Sequence, residues 1–436
     1  MASNNPFSAL KVLRSTSRAL QNRNYRLYFG GQGISLVGTW MQRIAVSWLT
    51  YRLTHSVFLL GLVGFAGQIP IFLLAPFAGV LVDKWNRHRI LIVTQILSLI
   101  QASTLAILVL TDTIAIWQII LLSLSLGFIN AFDNPTRQSF IVELVDNKAD
   151  LGNAIALNSS MFHASVLVGP SIAGILIAVV GEGVCFFLNA LSFLAVIISL
   201  LAMKIDLKIR ETHSTPVWRS FKEGLAYTFG FPPIRFLILL LAWTNLIGVS
   251  YIVLMPVFAK VVLHGGAQTY GFLMSSSGCG AMLGAITLAS RKSFLGIEKL
   301  IAMAVGFFGA GLIIFSLSNI LWLSMLLMTM NGMVMVQLSA GTNTALQTIV
   351  EEGKRGRVMG FFIMSNIGMQ PFGNLLAGSL AHVIGTPKTI MIGGMLCILG
   401  SIVFSVKLPS LMKMIRPIYL KKGIILEEET VTQLER

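Results

Sequence analysis

Gln32, Ser35, Thr39 and Arg43 succeed one another at spacings of three, four and four residues. On an α-helix all four share one face. That stripe offers three neutral hydrogen-bonding groups and one guanidinium, and a guanidinium presents paired donors to a carboxylate, phosphate or catecholate. Asn366, Gln370 and Asn374 repeat the pattern at i, i+4 and i+8, with Gln42 beside the first stripe. Asn158, His163 and Asn245 are further polar groups in apolar surroundings. The competing use of each is interhelical hydrogen-bond glue, and for Arg43 a snorkel to the external interface. A second concentration of chemistry is "GVLVDKWNRHR", residues 79–89, which carries Gly79, Asp83, Lys84, Arg87, His88 and Arg89. Asp133 and Arg137 lie four apart in "NAFDNPTRQSF". Charges of this kind either latch helix ends or decorate a solvated turn. The chain carries no Walker-type glycine loop, no metal-ligand spacing and no local nucleophile–base motif, so an enzyme, a metal and a cofactor are not expected.

The surroundings of these residues are strongly apolar. Of 436 residues 55% are hydrophobic and 11% charged, with mean hydropathy +0.81. A soluble chain carries about 25% charged residues, so this is a polytopic membrane protein. A spanning helix needs about 20 apolar residues. Twelve stretches qualify, near 27–49, 58–81, 90–110, 114–132, 155–179, 183–203, 236–259, 269–289, 299–317, 320–342, 358–384 and 388–406. The net charge of +15 is a topology signal and implies no nucleic-acid partner. All but four of the 32 Lys and Arg fall on one side of the predicted spans, the exceptions being Arg43, Arg52, Lys260 and Lys388. Basic loops stay cytoplasmic, so both termini and the central loop are expected there, in an inner or plasma membrane. Cys185, Cys279 and Cys397 all fall in apolar stretches without a ligand spacing and read as core residues.

The chain divides into a cytoplasmic tail (1–24), a first six-helix bundle (25–203), a central loop with an amphipathic helix (204–233), a second bundle (234–408) and a second tail (409–436). The first tail, Ser- and Arg-rich without acid, reads as a plain cytoplasmic tail; a transit peptide or an interfacial helix are the alternatives. In the loop, Trp218, Phe221, Leu225 and Phe229 recur at helical spacing. "QSFIVELVDNKADLGNAIALNSSM" and "LQTIVEEGKRGRVMGFFIMSNIGM" occupy equivalent places in the two halves and echo each other. Two similar six-span halves related by an axis along the membrane normal make the major facilitator architecture.

"GVLVDKWNRHR" resembles the major facilitator signature of the loop between spans 2 and 3, through Gly79, Leu81, Asp83, Lys84, Arg87 and Arg89. Asn86 stands where the family usually has Gly, a replacement that left-handed backbone would tolerate. The resemblance implies a gating latch: Asp83 facing span 11, and Arg87 paired with an acid near the end of span 4, for which Asp133 is the candidate. "SVLVGPSIAG" resembles the family's exporter motif in span 5, through Gly169, Pro170 and Gly174. "RNYRLYFGGQGISLVGTWMQRIAVSWLTYRLT" and "NAFDNPTRQSF" are similar to the transmembrane secretion effector branch, which contains the enterobactin exporter.

The expected function is therefore secondary export of a small amphiphilic molecule, siderophore-like or drug-like, by a monomer in the bilayer using alternating access. Acids sit at loops and span ends, among them Asp83, Asp112, Asp133, Glu143 and Glu182, and span 4 carries "SLSLGFIN" in place of the Arg-x-x-Gln-Gly of many proton antiporters. Those absences favour a neutral or anionic solute over a cation. A proton gradient stays open as the driving force, with His163 and Asp133 able to titrate. The alternatives are a lipid or lysophospholipid importer or flippase of the same fold, and a non-transporting receptor or assembly factor.

Overall fold

A computed structural model describes residues 18–145, 150–204, 217–291 and 296–422, with backbone alone for 75–84, 217–221 and 421. The rest of both tails and residues 205–216 of the central loop lie outside the described residues. All regular elements among the described residues are helices: α1 (Arg23–Thr54), α2 (Val57–Lys84), α3 (Arg87–Leu110), α4 (Ile116–Ile141), α5 (Leu151–Val180), α6 (Glu182–Leu201), α7 (Val217–Gly230), α8 (Pro232–Trp243), α9 (Ala267–Ala289), α10 (Ile297–Ser316), α11 (Leu321–Ile349), α12 (Arg355–Ile363), α13 (Gln370–Ile384) and α14 (Thr386–Lys421), with short 3-10 and π turns between some of them.

Helix α3 shows why these sequences suit a bilayer. Thr94, Gln95, Ser98 and Gln101 are buried, while Val93, Ile96, Leu97, Ile100 and Ile107 are exposed. This is the inverse of a soluble helix. In lipid the apolar face costs nothing to expose, and polar groups must find partners inside the protein. Ten helices are long and apolar enough to cross a membrane among the described residues. Two of the twelve expected spans are not in that set. Helix α1 has the length, 32 residues, but carries Arg23, Arg26, Arg43 and Arg52. The segment expected near 358–384 is divided into α12 and α13 by a π turn at Met364–Gly368. Pro371 explains the break: it has no N–H for the Ile367 carbonyl four residues back. A π turn also interrupts the segment after α8, at Thr244–Gly248.

Helix boundaries follow local chemistry. Asn22 accepts hydrogen bonds from the Asn24 and Tyr25 N–H groups and starts α1. Asn86 is not left-handed as expected. It sits at φ −68°, ψ 108°, and its side chain accepts from the Arg89 N–H. An N-cap needs extended backbone and a short acceptor, so Asn serves here where a tight-turn Gly would not. Gly181 (φ +84°) joins α5 to α6, and Gly385 (φ +87°) joins α13 to α14. The two halves thus place a glycine with positive φ at equivalent corners, where a Cβ would be strained.

The chain falls into two compact units. The first comprises Met1–His55, Ala66–His213 and Gly265–Gly278; the second comprises Ser56–Phe65, Ser214–His264 and Cys279–Arg436. In the first, α1 packs on α5 and α6, and α3 on α4 and α6. Gly31 meets Ser199 and Ala195, and Gly38 meets Asn189 and Ser192. A core of Tyr25, Tyr28, Leu91, Phe140, Ile141, Val196 and Leu200 closes one end, where the Tyr25 hydroxyl donates to the Ala154 carbonyl at 2.8 Å. In the second, α10 packs on α11 and α14, Gly309 faces Gly394, and Phe258 stacks on Phe315 at 4.3 Å.

Gln42 joins a buried amide chain in the first unit. Its Nε2 donates to Gln101 Oε1 at 2.9 Å, and Asn189 Nδ2 donates to its Oε1 at 2.7 Å. Gln101 Nε2 donates onward to the Leu122 carbonyl at 3.2 Å. The chain ties α1, α3, α4 and α6 together. Gln42→Leu is expected to cost about 1–2 kcal/mol, the range for interhelical hydrogen bonds in membranes plus two stranded amides. A chemical-unfolding midpoint in detergent equal to the parent's would show that the amides add nothing.

Candidate functional site

The charge-rich end comes first. Arg87 opens α3, and its guanidinium donates to Glu143 Oε1 at 2.6 Å. His88 Nε2 donates to the Leu200 carbonyl at 2.8 Å, and its ring stacks on Phe140. Arg89 is exposed. The acid that meets Arg87 is therefore Glu143, not Asp133. Ten residues separate the two acids, about 15 Å of helical rise, and Arg87 sits at the very start of its helix beside the end of α4. Asp133 lies deeper, fully buried. It accepts from Thr94 Oγ1 and Gln95 Nε2, each at 2.8 Å, and pairs with Arg137 one turn further along α4. The side chains of Gly79, Asp83 and Lys84 lie outside the described residues.

The Gly-Pro motif of α5 forms a tight face. Gly169 lies against Trp40 of α1, and Gly174 against Ala267 and Gly271 of α9. Ser171 Oγ donates to Ser275 Oγ at 2.6 Å. A Cβ on Gly278 would stand 2.7 Å from the Val166 carbonyl. Backbones this close need the absence of side chains, which is the packing use of small residues in membranes.

The polar stripe of α1 divides by environment. Gln32 and Ser35 are buried. Thr39 is half-buried and donates its hydroxyl to the Ser35 carbonyl at 2.9 Å. Arg43 is exposed, with its guanidinium 4.5 Å from the Trp40 ring centroid. Trp40 meets Phe162 edge-on at 6.1 Å. Trp48 stacks on Tyr270 at 6.4 Å. The Tyr270 hydroxyl lies near Ser47 and Arg43, and Ser47 Oγ donates to the Arg43 carbonyl at 3.1 Å. On α5, Asn158 and His163 are half-buried, and His163 Nδ1 is buried without a hydrogen-bond partner.

In the second unit two of the π turns, Thr244–Gly248 and Met364–Gly368, carry Asn245 and Asn366, and Gln370 opens α13. Asn245 Nδ2 donates to the Leu241 carbonyl at 2.9 Å, while its Oδ1 has no partner. Asn366 Nδ2 donates to Ser339 Oγ at 2.9 Å, and Gln370 Nε2 to the Asn366 carbonyl at 3.3 Å. Helix α7 docks on α12: Glu223 pairs with Arg357 at 2.9 Å, Lys354 lies over Tyr227, and Phe229 meets Phe361 edge-on.

Sequence reasoning thus found Arg43 and missed its neighbours. Trp40 and Ser47 lie one turn to either side of it on α1, a signal that was present in the helical period. Tyr270 is 227 positions away and left no such signal. Glu143 stands among several loop and span-end acids in the residue order, with no spacing that singles it out.

A sequence model of the family described as transmembrane secretion effector matches residues 15–418. Over 382 residues the chain is 27% identical to the staphyloferrin A transporter of Staphylococcus aureus, covering 87% of this chain and 95% of that protein. Over 372 residues it is 24% identical to the multidrug efflux pump Tap of Mycolicibacterium fortuitum, covering 83% and 88%. The crystal structure of a mutant nucleoside transporter NupG superimposes with a TM-score of 0.71 at 14% identity, covering 89% of this chain and 99% of that one. That likeness concerns the fold.

Proposed function

Since the chain belongs to the transmembrane secretion effector family of major facilitator transporters, we propose that it exports a small amphiphilic organic molecule across the plasma membrane by alternating access. The proposal includes twelve spans, with α1 and the α12–α13 segment crossing as well as the ten apolar helices. It includes two six-helix bundles, 25–203 and 234–408, with both termini cytoplasmic and the monomer as the working unit. The observation that carries the export reading is the α5 face: Gly169, Pro170 and Gly174 lie in a helix packed backbone to backbone on α9 through Gly271 and Gly278. Relatives named for siderophore transport and for multidrug efflux support a small organic solute. In this reading Gln32, Ser35, Thr39, Arg43, Asn158, His163, Asn245, Asn366 and Gln370 contact the solute, and the 79–89 loop with Asp133 and Arg137 gates its passage.

The Arg87–Glu143 pair is the gate element open to a direct test. The Glu143 side chain is 39% exposed and that of Arg87 14%, so the carboxylate keeps water contact and the pair adds about 1 kcal/mol to folding; the yield of monodisperse protein is read beside the rate for each variant. Uptake into inside-out vesicles is the measurement, with a panel of carboxylate, catecholate and lipophilic cationic solutes. Arg87→Glu and Glu143→Arg are each expected to lower the initial rate about tenfold, and the double exchange to recover most of it. Equal rates in all four proteins would remove the pair from the gate. No saturable uptake of any solute by the parent would defeat export and leave a receptor or lipid-handling role. Collapse of the proton gradient in the same vesicles reads the driving force: uptake lost with the gradient marks proton coupling.

A further inference from the structure

Arg43 is a cation without an anion. It lies nine residues short of the α1 position where Arg52 pairs with Glu182 at 2.8 Å, a depth of about 13 Å by helical rise. No carboxylate approaches it among the described residues. Asp133 is taken by Arg137, Glu143 by Arg87 and Glu182 by Arg52. A charged side chain at such depth is costly and marks a solute pathway or a partner.

The side of α1 on which Arg43 lies identifies its surroundings. Ile34 is exposed nine residues earlier, which is two and a half turns and therefore the opposite side of the helix. An exposed isoleucine suits lipid. Thr39, Arg43 and Ser47 share the other side at i, i+4 and i+8. Arg43 itself is exposed on that polar side, so a solute can reach its guanidinium.

The guanidinium has aromatic neighbours within the first unit. Trp40 lies against the guanidinium, and Phe162 abuts Trp40. Toward the α1 end that carries Arg52, Trp48 stacks on Tyr270, whose hydroxyl lies near Ser47 and Arg43. The site therefore holds one fixed positive charge, two hydroxyl groups and aromatic surface. A planar oxyanion takes two parallel hydrogen bonds from a guanidinium, and the rings accept an apolar body. A single guanidinium balances one negative charge. A phosphate dianion would remain half compensated, and an organic cation would be repelled.

We propose that Arg43, Ser47 and Tyr270, walled by Trp40, Phe162 and Trp48, bind the carboxylate or catecholate end of an organic anion. This rests on the export reading and narrows it to one class of solute. Three of these residues, Trp40, Ser47 and Tyr270, set the site's shape and hydrogen bonding around the charge that Arg43 supplies.

Equilibrium dialysis on the full chain in lipid nanodiscs, without any gradient, tests it. The probes are 2,3-dihydroxybenzoate, inorganic phosphate and tetraphenylphosphonium. The parent is expected to bind 2,3-dihydroxybenzoate saturably and neither of the others. Arg43→Gln is expected to weaken binding at least about tenfold, Arg43→Lys less, because charge survives while the paired geometry is lost. Tyr270→Phe is expected to weaken it about threefold and serves as the test should Arg43→Gln fail to yield a monodisperse protein. Binding of 2,3-dihydroxybenzoate that is absent in the parent, or unchanged in Arg43→Gln and Tyr270→Phe, overturns the proposal; so does preference for phosphate or the phosphonium. The vesicle assay separates the two readings. Cation accumulation in vesicles would keep export and remove the anion site, whereas anion binding without accumulation would keep the site and remove export.

Discussion

Gly280→Val is expected to eliminate the folded protein. A Cβ at Gly280 would overlap the Thr329 carbonyl of α11 and approach the Met333 nitrogen to 2.9 Å. One turn on, a Cβ at Gly284 would meet the Met333 backbone. The obstacles are main-chain atoms of a packed helix, which cannot swing aside as a side chain does. Small residues four apart let two backbones approach and gain dispersion contacts, which drive helix association where the solvent is as apolar as the side chains. Valine adds a branched group to a contact that has no room for a methyl. Overpacking commonly costs 1–3 kcal/mol, and a backbone obstacle belongs at or above about 3 kcal/mol. The readout is the yield of monodisperse protein by size exclusion after membrane extraction. Gly30→Ala is the control: nothing lies within 4 Å of a Cβ there, and Ala is the better helix former. Parent-like yield from Gly280→Val would mean that α9 and α11 do not touch in the way described.

Asp133→Ala comes second in expected size. The Asp133 side chain is 2% exposed and that of Arg137 20%. Removal of the carboxylate leaves a guanidinium in low dielectric and strips the acceptor from Thr94 and Gln95. Breaking one partner of a buried pair costs about 3–5 kcal/mol. Replacing both by apolar residues of similar size is often tolerated, since neither charge is then desolvated. Asp133→Leu with Arg137→Met is therefore expected to regain most of the thermal stability in detergent that Asp133→Ala loses. If the double variant is no more stable than the single one, the two residues are not coupled. Asp133→Asn separates charge from hydrogen bonding. Its amide oxygen can still accept from both Thr94 and Gln95, which donate to the same Asp133 oxygen in the parent, while its Nδ2 faces the Arg137 guanidinium in place of the second carboxylate oxygen. A loss close to that of Asp133→Ala would assign the cost to Arg137's charge.

How much of this was readable in the residue order varies from one feature to the next. Asp133 and Arg137 are four apart, and that spacing alone places them on one helix face. Family resemblance instead suggested a bond from Asp133 to Arg87, which the rise of α4 puts out of reach. In the residue order Gln42 is only a neighbour of a polar stripe. Its partners, Gln101 and Asn189, come from helices 59 and 147 positions away, and no local period encodes them. Asn86 was expected in left-handed backbone and became an N-cap, because a helix starts at Arg87 and an unsatisfied N–H at Arg89 needed an acceptor.

By itself the residue order determined the solvent, the family and the approximate places of most helices. These follow from composition, from motifs contiguous in the chain and from runs of apolar residues, all of which are local. It also singled out Arg43, since one ionisable group in an apolar run is conspicuous without any fold. Tertiary structure alone decided which partners each polar residue meets. Gln32, Ser35 and Gln42 are buried, while Arg43 on the same helix is exposed near Tyr270. The physical reason is that in lipid every polar group seeks a partner. Helical period sets which way a side chain points, and only the packing of distant helices sets whether a neighbour is there to meet it.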